Sequence, residues 1–182
     1  MNNKNNYGFT LVELLAMLVV LGLIMGVAIP NIVGILNRSK VNMMKEDSTK
    51  MVNSAKISVS SRELKKPNNN QCVMFSLDYL DNNDDIKKGP NDGEYLRYDS
   101  FVLMKKEGSK YVYYVRLIEK IKDNKYSGVE LANYDLFVKS PTSYIENTNN
   151  ILNFQSSESL QHISNKPLIN SVCSGGVIAY YS

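Results

Sequence analysis

The sequence predicts an α+β protein: a long N-terminal helix, its first half crossing a membrane, packed on a small antiparallel β-sheet head. Three observations predict it. Residues 9–36 form an apolar run in which Glu13 is the only ionisable side chain. Residues 37–64 keep apolar side chains at helical spacing and place charged ones on the other faces. Beyond residue 65 the chain turns polar, rich in Tyr and Asn, with short alternating apolar segments bounded by Gly, Pro and Asn.

The apolar run comes first. As a helix, residues 9–30 reach about 33 Å at about 1.5 Å per residue, matching a hydrocarbon core of about 30 Å. The preceding segment, "MNNKNNYG", carries one positive charge, Lys4, and Arg38, Lys40 and Lys45 follow the run. That asymmetry does not fix the orientation. Three readings fit the run: a membrane anchor, a secretory signal peptide, or a segment processed in another way. The small-x-small triplet Gly26-Val27-Ala28 would let a signal peptidase cut after Ala28 and release a soluble binding protein or enzyme. Against this, Glu13 interrupts the apolar core, and the run continues through Ile29, Ile32, Val33, Ile35 and Leu36. A carboxylate is costly inside a bilayer, so Glu13 needs a reason.

Gly22, Gly26, Pro30 and Gly34 weaken the helix in one stretch. Gly22 and Gly26 also form a GxxxG pattern that lets helices approach closely. The expectation is a bend or local melting from Gly22 to Pro30. Helical spacing continues through Ile32, Ile35, Leu36, Met43, Met44, Met51, Val52, Ala55 and Val59. The methionines read as core packing. "SSRELKKPNNN" ends the pattern, with Pro67 and three asparagines as breakers.

The head, residues 65–182, reads as β-rich. "QCVMFSL" (71–77) is a strand, and "DSFVLMKKEGSKYVYYVRLIEKI" is a hairpin turning at Glu107-Gly108-Ser109. "GVIAYY" (176–181) is a last strand. Along 111–117 both alternating sets carry apolar bodies, so both sheet faces are expected to be partly covered. Residues 139–170 read as loop.

Candidate sites are few. The net charge of +3 is weak and scattered, and no Lys/Arg tract suggests nucleic acid. Tyrosines interleaved with lysines between 110 and 126 suit base stacking, but half-exposed sheet is the commoner origin. Two cysteines and the single His162 argue against a zinc site. "DNNDDIKKGPND" (81–92) invites calcium, yet its sixth position is Ile86 and its twelfth Asp92, where an EF-hand needs Gly and Glu. A polar turn is the better reading. No G-x-S-x-G surrounds any serine. The residues point to no cofactor, no metal and no catalytic group.

One stretch is more specific. "GFTLVELLAMLVVLGLI" resembles the cleavage and methylation signature of type IV pilins and type II secretion pseudopilins: a short polar leader ending in Gly8, then Phe9, three mostly apolar residues, Glu13, and a long apolar run. The resemblance covers residues 1 to about 60 and is only architectural beyond. It implies a pilin-like fold with a leader (1–8), a transmembrane or filament-core helix (9–36), its amphipathic continuation (37–64) and the head. It implies that a prepilin peptidase cuts between Gly8 and Phe9 and N-methylates Phe9. It implies that Glu13 meets the new Phe9 amine of a neighbouring subunit and sets assembly register. Pro30 sits where many pilins have a helix-kinking proline. The implied protein is a structural subunit, not an enzyme, held in the cytoplasmic membrane with its head outside. An assembly platform then draws it into a pilus with other subunits. A minor pilin, or a pseudopilin of a secretion or DNA-uptake system, fits the same residues. With the head outside, Cys72 and Cys173 are disulfide candidates that would tie the first and last strands of the head; two unlinked buried thiols are the alternative.

Overall fold

The structure, a computed structural model, describes residues 9–62, 64–81, 85–86, 88–149 and 167–182, with every side chain among them except those at 27, 28, 30, 31 and 147. The chain divides into two compact units, one ending at Ser39 and one comprising Lys40–Ser182. Helix α1, Leu11–Ser61, contributes to both.

Among the described residues of the first unit α1 has no partner element. A lone helix cannot bury its own side chains, so its apolar residues are exposed all round, from Leu21 at 50% to Leu11 at 79%. Among the described residues no helix is long and apolar enough to cross a membrane. The expected span of 9–36 includes residues 27, 28, 30 and 31, whose side chains lie outside the described set.

The second unit holds a sheet in the order β6-β5-β4-β3-β1-β7. Its strands are β1 (Cys72–Ser76), β2 (Glu94–Tyr95), β3 (Phe101–Glu107), β4 (Lys110–Lys120), β5 (Tyr126–Asn133), β6 (Tyr144–Thr148) and β7 (Val177–Tyr181). Short helices α2 (Leu77–Leu80), α3 (Tyr134–Lys139) and α4 (Pro167–Val172) join them. Strands β3 and β4 form the expected hairpin, closed by Gly108 and Ser109 with Glu107 opposite Lys110. Gly108 has φ +61° while Ser109 stays at negative φ, the pattern of a type II′ turn, which suits the right-handed twist of paired strands.

The antiparallel expectation needs one correction: the sheet is mixed, because β7 pairs with β1 in parallel. The reason lies at the strand starts. Cys72 opens β1, Cys173 lies just before β7, and the disulfide between them holds both beginnings at the same end. Gly175 N–H and Cys72 N–H complete that junction by donating to the carbonyls of Asn70 and Gly176. A second correction concerns residues 139–170, read as loop: β6 pairs with β5 there, and α4 begins at Pro167.

Each sheet face has its own core. Met44, Met51, Val52 and Ala55 of α1 pack on Val73, Phe75, Val102, Met104, Val115, Leu117 and Val129. Met43, placed in the same stripe by spacing, is instead 40% exposed. On the opposite face Cys72, Met74, Phe101 and Leu103 pack under Ile169 of α4, together with Cys173 and Val177.

Candidate functional site

The sequence singled out the start of α1, and its geometry is that of a capped helix. Thr10 precedes the first helical residue. Its backbone N–H and its hydroxyl both donate to Glu13 Oε2, at 2.9 and 2.8 Å. Glu13 N–H donates back to Thr10 Oγ1 at 3.3 Å. This is a capping box: each residue satisfies a group that the helix end leaves open. Its sequence signal, Thr-x-x-Glu at 10–13, was present and went unread. Glu13 also lies in the first turn, where the helix dipole favours a negative charge. Phe9 is 72% exposed. Gly8, the other half of the expected cleavage site, lies outside the described residues.

The helix is continuous through Gly22, Gly26, Pro30 and Gly34. A methyl group added at Gly22, Gly26 or Gly34 would meet nothing within 4 Å. Their backbone surface is therefore open to close approach by another helix. Ala16, Met17, Val20 and Leu21 line a shallow, wholly apolar groove on the same unit.

In the head, Cys72 and Cys173 are bonded, with an S–S distance of 2.00 Å and Cα atoms 5.7 Å apart. Both residues are buried. In the 81–92 segment the Asp81 carboxylate is occupied by protein donors: the backbone N–H groups of Asp85 and Ile86 and the Arg97 guanidinium. Residues 82–84 and 87 lie outside the described set, as does His162. Among the described residues no cluster of His, Cys, Asp or Glu could hold a metal ion.

The buried charges Arg116 and Glu119 escaped the sequence reading. Arg116, 0% exposed, donates to Glu130 Oε1 at 3.2 Å and to the Asp99 carbonyl at 2.6 Å, and its guanidinium lies 5.8 Å from the Phe101 ring centroid. Burial pulls the guanidinium below its ordinary range, while Glu130 and Asp99 hold it up. Glu119, also buried, accepts from the Asn91 side-chain amide and from Asn91 N–H. Burial pushes its carboxyl above the ordinary range, opposed by those donors. Alternation along 111–117 pointed to cover on both sheet faces, which the two cores bear out, but it did not single out positions 116 and 119 as buried charges.

Beside Glu119 opens a cavity of about 730 Å³, walled by Lys40, residues 91–96, residues 120–123 and Lys125. Lys40 pairs with Glu146 at 3.1 Å and Lys88 with Asp92 at 3.0 Å. Lys120, Lys122 and Lys125 line the same opening as Glu94 and Asp123.

Comparison with known proteins finds one match. The family described as the prokaryotic N-terminal methylation motif matches residues 3–29. That motif is the signature of type IV pilins and pseudopilins. No curated protein and no solved structure matches the chain.

Proposed function

We propose, from the methylation motif at residues 3–29, that this chain is a structural subunit of a type IV pilus or a related envelope filament and catalyses nothing itself. A prepilin peptidase cuts between Gly8 and Phe9 and methylates the new amine. Before assembly the subunit is held in the cytoplasmic membrane by residues 9–36, with its head outside. The assembly machine then withdraws that helix into a bundle of like helices. Burial of the apolar surface that stands exposed on α1 supports the bundle. The Phe9 amine and the Glu13 carboxylate of adjacent subunits set the register, a use for which ion pairs are better attested than for net stability. The open glycine surfaces at Gly22 and Gly26 suit close helix contact, and the stretch to Pro30 is where the helix bends or melts on packing. The observation that carries the reading is Glu13 alone in a run otherwise without charge, four positions beyond the Gly8–Phe9 junction.

The test is the mature N-terminus, read by mass spectrometry on protein from membranes and from sheared cell-surface material. A chain beginning with N-methylated Phe9 is expected. A chain beginning at Ile29 would make this a secreted soluble protein and end the filament reading; an intact Met1 would leave a plain anchor. A second arm is Glu13→Val, expected to be cut normally but to enter filaments poorly. Normal incorporation of that variant would remove the register role.

A further inference from the structure

We propose that the end of the head around Tyr111 binds single-stranded nucleic acid, with phosphates on lysines and a base on the tyrosine ring. The inference goes beyond the filament reading and uses only residues of the second unit. Charge points to it first. Residues 56–66 and 105–111 hold seven Lys or Arg against Glu63 and Glu107, a balance of +5, whereas the whole chain balances at +3. The remainder of the chain is therefore net negative, and the excess of cations sits in these two segments.

The fold joins the segments. Asn69 bridges to Lys106, and its side-chain carbonyl accepts from Gly108 N–H at 3.0 Å. Lys66 stands three residues before Asn69, so their Cα atoms are at most about 11 Å apart. From the helix side, Lys56 Nζ lies 5.2 Å from the Tyr113 ring centroid. Alternation along β4 puts Tyr111 and Tyr113 on the face that α1 covers, and the hairpin register sets Tyr111 opposite Lys106. The backbone thus gathers Lys56, Lys65, Lys66, Lys106 and Lys110 about Tyr111, whose side chain is 38% exposed.

Acids of the chain do not neutralise these five. Glu107 is held by Lys105 at 2.8 Å. Arg62 is engaged with the hydroxyl and ring of Tyr79. Among the described residues none of Lys56, Lys65, Lys66, Lys106 and Lys110 has a carboxylate within ion-pair distance, and that includes Asp135, beside the Tyr134 ring that Lys56 also approaches. Glu63, the remaining acid of the two segments, lies outside the described residues. Lys56, Lys65, Lys66 and Lys110 are exposed, and Lys106 is half-buried. Cations alone would hold any polyanion. The tyrosine among them selects a single strand, because an unpaired base can stack on a ring while lysines hold the neighbouring phosphates. The sequence scatters these lysines over two segments about 50 positions apart, so no local tract announces them.

The experiment follows the fluorescence anisotropy of a labelled oligothymidylate, about 20 nucleotides long, titrated with the full chain in neutral detergent micelles. Binding is expected at about 50 mM salt, with log K falling against log salt at a slope of about −3, since each lysine–phosphate contact on a single strand contributes about −0.7. Lys66→Gln/Lys106→Gln should make that slope shallower by about 1.4. Tyr111→Ala should weaken binding about fivefold or more, and Tyr111→Phe, which keeps the ring, should restore it. Lys122→Gln/Lys125→Gln, beyond the other end of β4, should leave binding unchanged. No binding at about 50 mM salt would overturn the proposal. Equal binding of an abasic strand of the same length, with Tyr111→Ala unchanged, would also overturn it, because the surface would then hold polyanions without touching bases. Tighter binding of a duplex than of the single strand would do the same. None of these outcomes bears on the mature N-terminus, so the filament reading stands or falls by its own test.

Discussion

Replacing both Cys72 and Cys173 with alanine should cost the head about as much stability as truncating one large core side chain. The bond closes a loop across a sequence separation of 101. Chain entropy assigns a loop of that length about 4.7 kcal/mol at most, and measured values commonly run from about 2 to 4. With a urea slope of about 1–3 kcal/mol per molar for small domains, the unfolding midpoint should fall by about 1–2 M. Tyrosine fluorescence suits the assay: the chain has no Trp, and every tyrosine except Tyr7 lies within residues 40–182. The full chain is unfolded in neutral detergent micelles, wild type against variant. Geometry adds a second expectation. Cys72 is 0% exposed and Cys173 1%, so a thiol reductant cannot reach either sulfur in the folded state. Reduction should be slow without urea and fast above the midpoint. A midpoint moved by less than about 0.3 M, with m unchanged, would refute the loop-closure argument. Fast reduction of the folded chain would refute the buried junction between β1 and β7.

Other substitutions test other parts of the head. At Gly128, φ is +148°, and an added Cβ would lie 2.0 Å from the Leu117 carbonyl oxygen. Gly128→Ala should therefore destabilise by more than about 2 kcal/mol in the same urea assay. Arg116→Met strands the Glu130 carboxylate in the face opposite α1 and should cost about 3 kcal/mol or more, most of it recovered in Arg116→Met/Glu130→Leu, which removes both charges; if the double variant is as unstable as the single, the pair is not the source. Burial raises the Glu119 carboxyl above its ordinary 4.5. The folded state then binds that proton more tightly than the unfolded one, so the contribution is complete below the unfolded value and is lost as pH rises through the folded value. From about pH 4.5 toward 7, wild type should lose stability relative to Glu119→Gln, read as the difference between their urea midpoints at each pH; a difference that does not change with pH would sink this account.

Legibility in the sequence followed the physics of each element. Strand β1 and the β3–β4 hairpin could be read because Val, Phe and Tyr alternate up to a Gly-Ser turn, which is local information. Strand β5, "YSGVELAN", was not read, because Gly128 and Asn133 weaken it as a strand and its pairing with β4 supplies what propensity lacks. Strand β6 hid inside "SYIENT" for the same reason. The parallel pairing of β7 with β1 agrees with the Cys72–Cys173 bond, which the two cysteines offered as a candidate and which joins the starts of both strands, although no local window of residues shows strand direction. Along α1 the spacing identified Met44, Met51, Val52 and Ala55 as buried, yet it also admitted Met43, because a stripe's edge is set by the partner surface and not by the helix. The cavity lysines were legible only as a scattered charge until the fold gathered them.

The capping box bears on how Glu13 can act. A carboxylate with no local partner would be an empty acceptor waiting for a neighbour's amine. Here Oε2 already receives the backbone N–H and the hydroxyl of Thr10. The helix start therefore holds Glu13 against Thr10 without any second subunit. In the proposed register contact an incoming amine has two ways to engage it. It can add to the carboxylate's remaining lone pairs, since an ionised carboxylate has about four acceptor sites and Thr10 fills two. Or it can displace the Thr10 hydroxyl, whose loss an ammonium donor compensates with a stronger, charge-assisted bond. Both routes favour a charged donor over water or a neutral one. A side chain held in place also loses less freedom when the contact forms. Thr10 thus pre-sets Glu13 for the register contact proposed above.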